Sequence, residues 1–163
     1  MKIYVGVDPG ASGAIAFFYP LEGRLEVVDM PVVELVRNGK TKKEISSVML
    51  ANVFCKDRSG EILDFNLTLE KVGAMPGQGV SSMFQFGRGV GMIEGVCAAL
   101  SIPIDYVTPQ TWQKQVGMRA GKDGARERAM QLFPAYAGLF ARKKDDGRAD
   151  AALIAYWSFT KNK

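Results

Sequence analysis

Histidine is absent from this 163-residue chain. Without an imidazole there can be no histidine-ligated zinc, no Ser-His-Asp triad and no histidine general base. Cysteine is nearly absent too. Cys55 and Cys97 are the two, at neither metal-ligand nor redox spacing. Both sit in apolar, helix-like sequence and are expected to be reduced core thiols, packed as small hydrophobes. No run of about 18 or more apolar residues occurs, so no membrane helix is expected. The first five residues run directly into strand-like sequence and leave no room for a signal peptide, so a cytoplasmic location is expected. Catalysis in such a chain must draw on carboxylates, lysine, tyrosine or metal-activated water.

Acidic charge is in slight deficit: 17 Asp and Glu stand against 21 Lys and Arg, a net +4. That bias suits a polyanionic partner without proving one. The apolar share of 47% and charged share of 23% are those of an ordinary globular protein. A chain this long fits one domain, 1–163, with a proper core.

Strands are predicted over 2–8, 14–19 and 24–30, joined by short turns as an antiparallel meander. From about Thr41 the pattern reads as helix, with Thr41 as cap, Glu44 at the capping-box position and Ile45, Val48, Met49 and Val53 as its apolar face. A loop over 57–64 contains Gly60. A fourth strand covers 65–72, and the glycine-rich segment 73–79 is a connection. A long helix follows over 81–100 and a short strand over 104–107. Thr108-Pro109 opens another helix that stops near Gly117, and helices over 122–132 and 147–159 end the chain. The order is β-β-β-α-β-α-β-α-α-α. The strands at 65–72 and 104–107, joined through a helix, should be parallel. The expected class is α/β, a mixed five-stranded sheet flanked by helices.

Four carboxylates stand out in this layout. Asp8 closes the first strand before a Pro-Gly turn, where a turn aspartate is also common. Glu70 lies in an otherwise apolar strand, where a buried, uncompensated carboxylate is costly. Asp146 and Asp150 are four residues apart and share one side of the last helix, a like-charge pair that a divalent cation would relieve. Asp145, just before, competes with Asp146 as helix cap or ligand. Several hard oxygen ligands carried by rigid elements suit divalent-metal phosphodiester chemistry.

Basic residues crowd the last third. Lys114, Arg119, Lys122, Arg126, Lys143, Lys144 and Arg148 are the candidate DNA contacts, joined by Phe84 as a base-stacking aromatic; Trp112 reads as core. Gly87, Gly91 and Gly95 mark one face of the long helix. Each costs about 1 kcal/mol relative to alanine, so a close backbone approach is expected there, by the sheet or by a second copy of the helix.

Four segments together carry a family resemblance: Val5-Gly6-Val7-Asp8-Pro9-Gly10-Ala11-Ser12-Gly13, Leu69-Glu70-Lys71-Val72, Thr108-Pro109-Gln110 and Arg148-Ala149-Asp150-Ala151-Ala152. In this order and at these separations they resemble the RuvC Holliday junction resolvases, the bacteriophage branch most closely. The resemblance implies a ribonuclease H-like fold and a homodimer that binds four-way DNA junctions and makes paired nicks. It implies magnesium, with manganese as substitute, two ions per site. Asp8, Glu70 and Asp150 match the family's acidic positions, Asp146 takes the fourth, and Lys122 lies near a phosphate-contacting position. The chain departs from the pattern at Gly73, where bacterial members carry a stacking aromatic; Met75, Met83 and Phe84 are the candidate substitutes. Two other readings compete. A non-catalytic junction binder would lack a carboxylate, and an actin-like or sugar-kinase ATPase would need a second domain that 163 residues cannot hold.

Overall fold

The computed structural model describes residues 2–55, 64–74 and 76–162. Three strands, β1 (Lys2–Asp8), β2 (Ala14–Tyr19) and β3 (Arg24–Asp29), form the expected meander. Two further strands, β6 (Asp64–Glu70) and β7 (Ile104–Val107), complete a five-stranded sheet in the order β3-β2-β1-β6-β7. β1 pairs parallel to β6, with Val7 opposite Leu69, and β6 pairs parallel to β7. The parallel relation expected of the strands on either side of the long helix is therefore present.

Both faces of the sheet are covered, which is why its central strands are apolar almost throughout. One face packs Ile3, Val5, Val7, Ile15 and Leu67 against Leu50 and Phe54 of α1 (Ser47–Cys55) and Ile93 and Cys97 of α2 (Val80–Ala99). On the other, Tyr4, Ala16 and Phe18 meet the alanine-rich helix α5 (Asp146–Lys161), with Trp112 of α3 (Pro109–Gln115) and Ala129 of α4 (Gly124–Leu132) in the same cluster. Gly6 sets the closeness of that contact. A Cβ there would fall 2.1 Å from the Ala151 carbonyl oxygen and 2.4 Å from the Ala155 nitrogen, so α5 rests on the backbone of β1.

The helix expected from Thr41 starts later, at Ser47, as α1. Residues 40–45 form β5 (Lys40–Ile45), which pairs with β4 (Val32–Arg37) in a separate hairpin. The turn is Asn38-Gly39, with φ of 51° and 71°, the positive values a two-residue hairpin demands and these two residue types tolerate. Glu44 is a strand residue, and Ser46 does the capping: its Oγ accepts from the Met49 backbone N–H at 3.3 Å. Val48 and Met49 are exposed, and Leu50 and Phe54 form the buried face instead. The element order is thus β-β-β-β-β-α-β-α-β-α-α-α, with two short 3-10 segments, Pro134–Phe140 and Lys143–Asp145, ahead of α5. Of the loop expected over 57–64, all but Asp64 lies outside the described residues.

Two smaller expectations also change. Cys97 is buried, its thiol pushed up to about 11 by burial and then by Glu94, but Cys55 at the end of α1 is exposed. Gly87, Gly91 and Gly95 are exposed with open space around them, so the sheet does not approach that face; the buried glycine is Gly89, against the Ile45 side chain.

Candidate active site

Because β1 and β6 are parallel neighbours, Asp8 and Glu70 close their strands at the same edge of the sheet. α5 brings Asp150 to that edge from above. Tight packing of its first turn fixes the approach: a Cβ on Gly147 would lie 2.5 Å from the Ser12 carbonyl oxygen and 3.2 Å from Asp8 Oδ2. The turn after β1 and the start of α5 are therefore in direct contact, with the Asp8 carboxylate beside the seam.

The neighbours of each carboxylate decide its charge state. Asp8 is raised above the ordinary range by burial, offset in part by the Gly10 N–H, which donates to Oδ1 at 3.2 Å. Glu70 is raised by burial. Its Oε1 accepts from Trp112 Nε1 at 2.8 Å, which favours the ionised form, while Asp8 opposes it. Asp150 is pushed up to about 8, first by burial and then by Asp8, Glu70 and Asp146. Three elements thus bring their carboxylates close enough to repel one another inside the protein.

Asp145 and Asp146 part company in the fold. Asp145 is 1% exposed and fully engaged: it accepts from the Arg142 backbone N–H at 2.9 Å and the Arg142 guanidinium at 2.8 Å, with Arg148 3.7 Å away. Those cations hold it below the usual carboxylate range. Asp146 is exposed and accepts from Arg126 Nε at 2.9 Å, and it is the one of the two that acts on Asp150.

Among the described residues the carboxylates do not close into a preformed three-ligand cage. The donor set nonetheless suits a hard divalent cation. The carboxylates of Asp8, Glu70 and Asp150 are largely buried, mutually repelling and raised in pKa, and an ion between them would relieve both burial cost and repulsion.

The basic candidates divide sharply. Lys114, Arg119, Lys122, Lys143 and Lys144 are exposed. Arg126 is buried, held by Asp146, by Asp123 and by the Ala141 carbonyl at 3.4 Å. Arg148 grips Asp29 through two contacts of 2.6 and 2.7 Å. These two arginines are committed to the fold and do not join the free cations. Phe84 is 68% exposed on α2 and Met83 half-buried nearby; Met75 lies outside the described residues. The Trp112–Glu70 and Arg126–Asp146 contacts, each spanning at least 20 residues, had no local signal in the sequence.

Comparison with known proteins bears on the fold and on part of the sequence. The five-stranded mixed sheet with its flanking helices is a ribonuclease H-like fold. It is the fold of RuvC. Thermus thermophilus RuvC in complex with a Holliday junction substrate superposes with a TM-score of 0.62 at 13% identity, over 98% of this chain and 96% of that one. A second T. thermophilus RuvC structure gives 0.56 at 12% identity with the same coverage. By sequence the chain is 30% identical over 90 residues to the chloroplastic Holliday junction resolvase MOC1 of Chlamydomonas reinhardtii. That match takes in 52% of this chain and 10% of the relative, so it spans about a tenth of that protein's length. No family model matches. The likeness read from the motifs thus recurs in fold with RuvC and, over half the chain, in sequence with a Holliday junction resolvase; neither match distinguishes the bacteriophage branch.

Proposed function

We propose that this chain is a divalent-metal-dependent, structure-selective endodeoxyribonuclease that resolves four-way DNA junctions by paired nicks. The observation that carries this reading is the convergence of Asp8, Glu70 and Asp150, from β1, β6 and α5, into one mutually repelling group at the sheet edge. The resolvase relatives support it. Asp8, Glu70, Asp146 and Asp150 would hold magnesium, or manganese in its place, as two ions. A bound ion supplies water activation and neutralises charge on the departing 3′ oxygen. No covalent enzyme intermediate is needed, which suits a chain without histidine.

The chain's own residues orient and balance this site. Trp112 fixes the Glu70 carboxylate through one hydrogen bond, and the Gly10 N–H does the same for Asp8. Arg126 holds Asp146 at the rim until a ligand competes for it. Lys114, Arg119, Lys122, Lys143 and Lys144 offset the negative field that would otherwise repel phosphate, and Phe84 stands where an exposed ring can stack on a base.

We read residues 1–163 as one nuclease domain that works as a homodimer in the cytoplasm, of the bacteriophage kind by its motifs. The exposed face of Gly87, Gly91 and Gly95 supports self-association, since small residues let two helices approach closely. A two-fold dimer sets two sites on opposing strands, matching the junction's own symmetry. Among the described residues no helix is long and apolar enough to cross a membrane.

The test is cleavage of a labelled synthetic four-way junction with magnesium, manganese or EDTA, comparing wild type with Asp8→Asn. Paired nicks lost in EDTA and in the variant, with binding kept, are expected. Tight binding without cleavage under any metal would make the protein a junction binder instead.

A further inference from the structure

A cleft of about 390 Å³ opens between the β4–β5 hairpin and the first half of α2, and the nuclease reading gives it no role. One wall includes Pro9 and Ala11, from the turn that directly follows Asp8. The cleft therefore adjoins the carboxylate edge, on the α2 side of the sheet rather than the α5 side.

Its lining has two characters. Lys42 and Lys43 of the hairpin and Ser81 and Ser82 of α2 line it and are exposed. Deeper, Ile45, Phe86 and Met92 give it an apolar lining. Arg88 also lines the cleft, but Glu44 engages its guanidinium at 2.9 Å, so the two lysines supply the positive charge. Cations and hydroxyls around an apolar interior with an aromatic ring complement one chemical unit: an anionic sugar-phosphate attached to a flat, stackable base. The volume lies within the roughly 300–1,000 Å³ of small-ligand sites, which admits one nucleotide and excludes a duplex.

We infer that this cleft is a strand-binding subsite that takes an unpaired nucleotide of branched DNA, with phosphate on Lys42 and Lys43 and base against Phe86. Base pairs at a branch point open more readily than those inside a linear duplex, so the cleft contributes selectivity for branched over linear duplex. This rests on the nuclease reading and names a second contact for the same substrate. Duplex DNA lying across the lysines without entering is the competing arrangement. It would use the charge but not the apolar interior.

The experiment measures equilibrium binding in EDTA, over a salt series, to a labelled four-way junction and to a 12-nucleotide thymidine strand. Wild type is compared with Lys42→Ala/Lys43→Ala and with Phe86→Ala, each checked for folding by circular dichroism. The lysine variant should bind both probes about tenfold more weakly and lower the salt slope by about 2, one per lost phosphate contact. Phe86→Ala should weaken single-strand binding by about tenfold, as loss of one stacking platform does, and leave the salt slope unchanged. Should Phe86 loosen the fold when truncated, Phe86→Trp, which keeps a stacking ring, must retain single-strand affinity. An effect of the lysines alone would place DNA on the surface and overturn nucleotide entry. Unchanged binding in both variants, with junction cleavage still lost in Asp8→Asn, would remove the cleft from DNA recognition while the nuclease reading stands. Wild type that binds neither probe would overturn both.

Discussion

In metal-free protein, Asp150→Asn should make the fold more stable, and by an amount that grows with pH. The folded protein holds the Asp150 proton up to about pH 8, whereas an unperturbed aspartate releases it near 3.8. Between those values the folded state binds a proton that the unfolded chain has lost, so wild-type stability falls as pH rises through the window. A rise of about four units at about 1.4 kcal/mol each corresponds to about 6 kcal/mol once the group is fully ionised. An asparagine there carries no charge but leaves a buried amide, which costs about 1–3 kcal/mol. The net gain above pH 8 is then about 3–5 kcal/mol, or roughly 6–20 °C in Tm for a chain of this size.

Thermal unfolding followed by circular dichroism in EDTA, from pH 5 to pH 9, measures the gap directly. It should be small at pH 5, widen through neutrality and level off above pH 8. Magnesium should narrow it by stabilising wild type more than the variant, since binding to the native state alone raises its stability. A gap that does not change with pH would refute the reasoning, because burial and repulsion by Asp8, Glu70 and Asp146 would then not govern Asp150. So would a wild type that is the more stable at pH 9.

Other consequences follow from single contacts. Trp112→Phe removes the donor that favours ionised Glu70, so the acid limb of the pH–cleavage profile should move to higher pH, read from single-turnover rates. Arg126→Ala breaks ion pairs to two exposed carboxylates, Asp123 and Asp146. Its urea midpoint should fall by the equivalent of about 1–2 kcal/mol, less than the about 3–5 expected where a charge is left buried and unpaired. Gly6→Ala forces a methyl into a 2.1 Å contact with the Ala151 carbonyl; it should cost about 3 kcal/mol or more and lower cleavage through displacement of α5, with urea denaturation as the measure.

Periodicity revealed the layered core because the packing obeys it. β1 and β2 bury the apolar residues of their patterns, α2 buries Ile93 and Cys97, and Thr108-Pro109 starts α3 with the Thr108 side chain accepting from the Thr111 N–H. The hairpin at 32–45 was lost to a competing signal. Thr41 and Glu44 mimic a capping box, while Lys40, Thr41, Lys42 and Lys43 are exposed and carry no alternation of apolar and polar residues. Asn38-Gly39 was the decisive local cue, and it outweighs the apparent cap. The carboxylates were legible as residues, since each stands where its element ends or begins. Which neighbour neutralises which was not legible, because Arg148 reaches Asp29 across 119 positions and Trp112 reaches Glu70 across 42.

The parting of Asp145 and Asp146 shows why that second layer matters. Adjacent residues at a helix start differ by about 100° around its axis, so one turns toward the Arg142 and Arg148 side and its neighbour toward Asp150. Asp145 is charged, buried and balanced, and it anchors the start of α5 through Arg142. Asp146 is exposed and lightly held. A group that must accept a ligand has to be released at low cost, and when Asp146 leaves, the buried Arg126 keeps Asp123 and the Ala141 carbonyl as partners. Asp8, Glu70 and Asp150 provide the opposite term, a repulsion that the closely packed α5–β1 seam withstands. The packing at Gly6 and Gly147 therefore does more than close the core: it keeps three mutually repelling carboxylates together, so that cation binding relieves a cost the fold already bears.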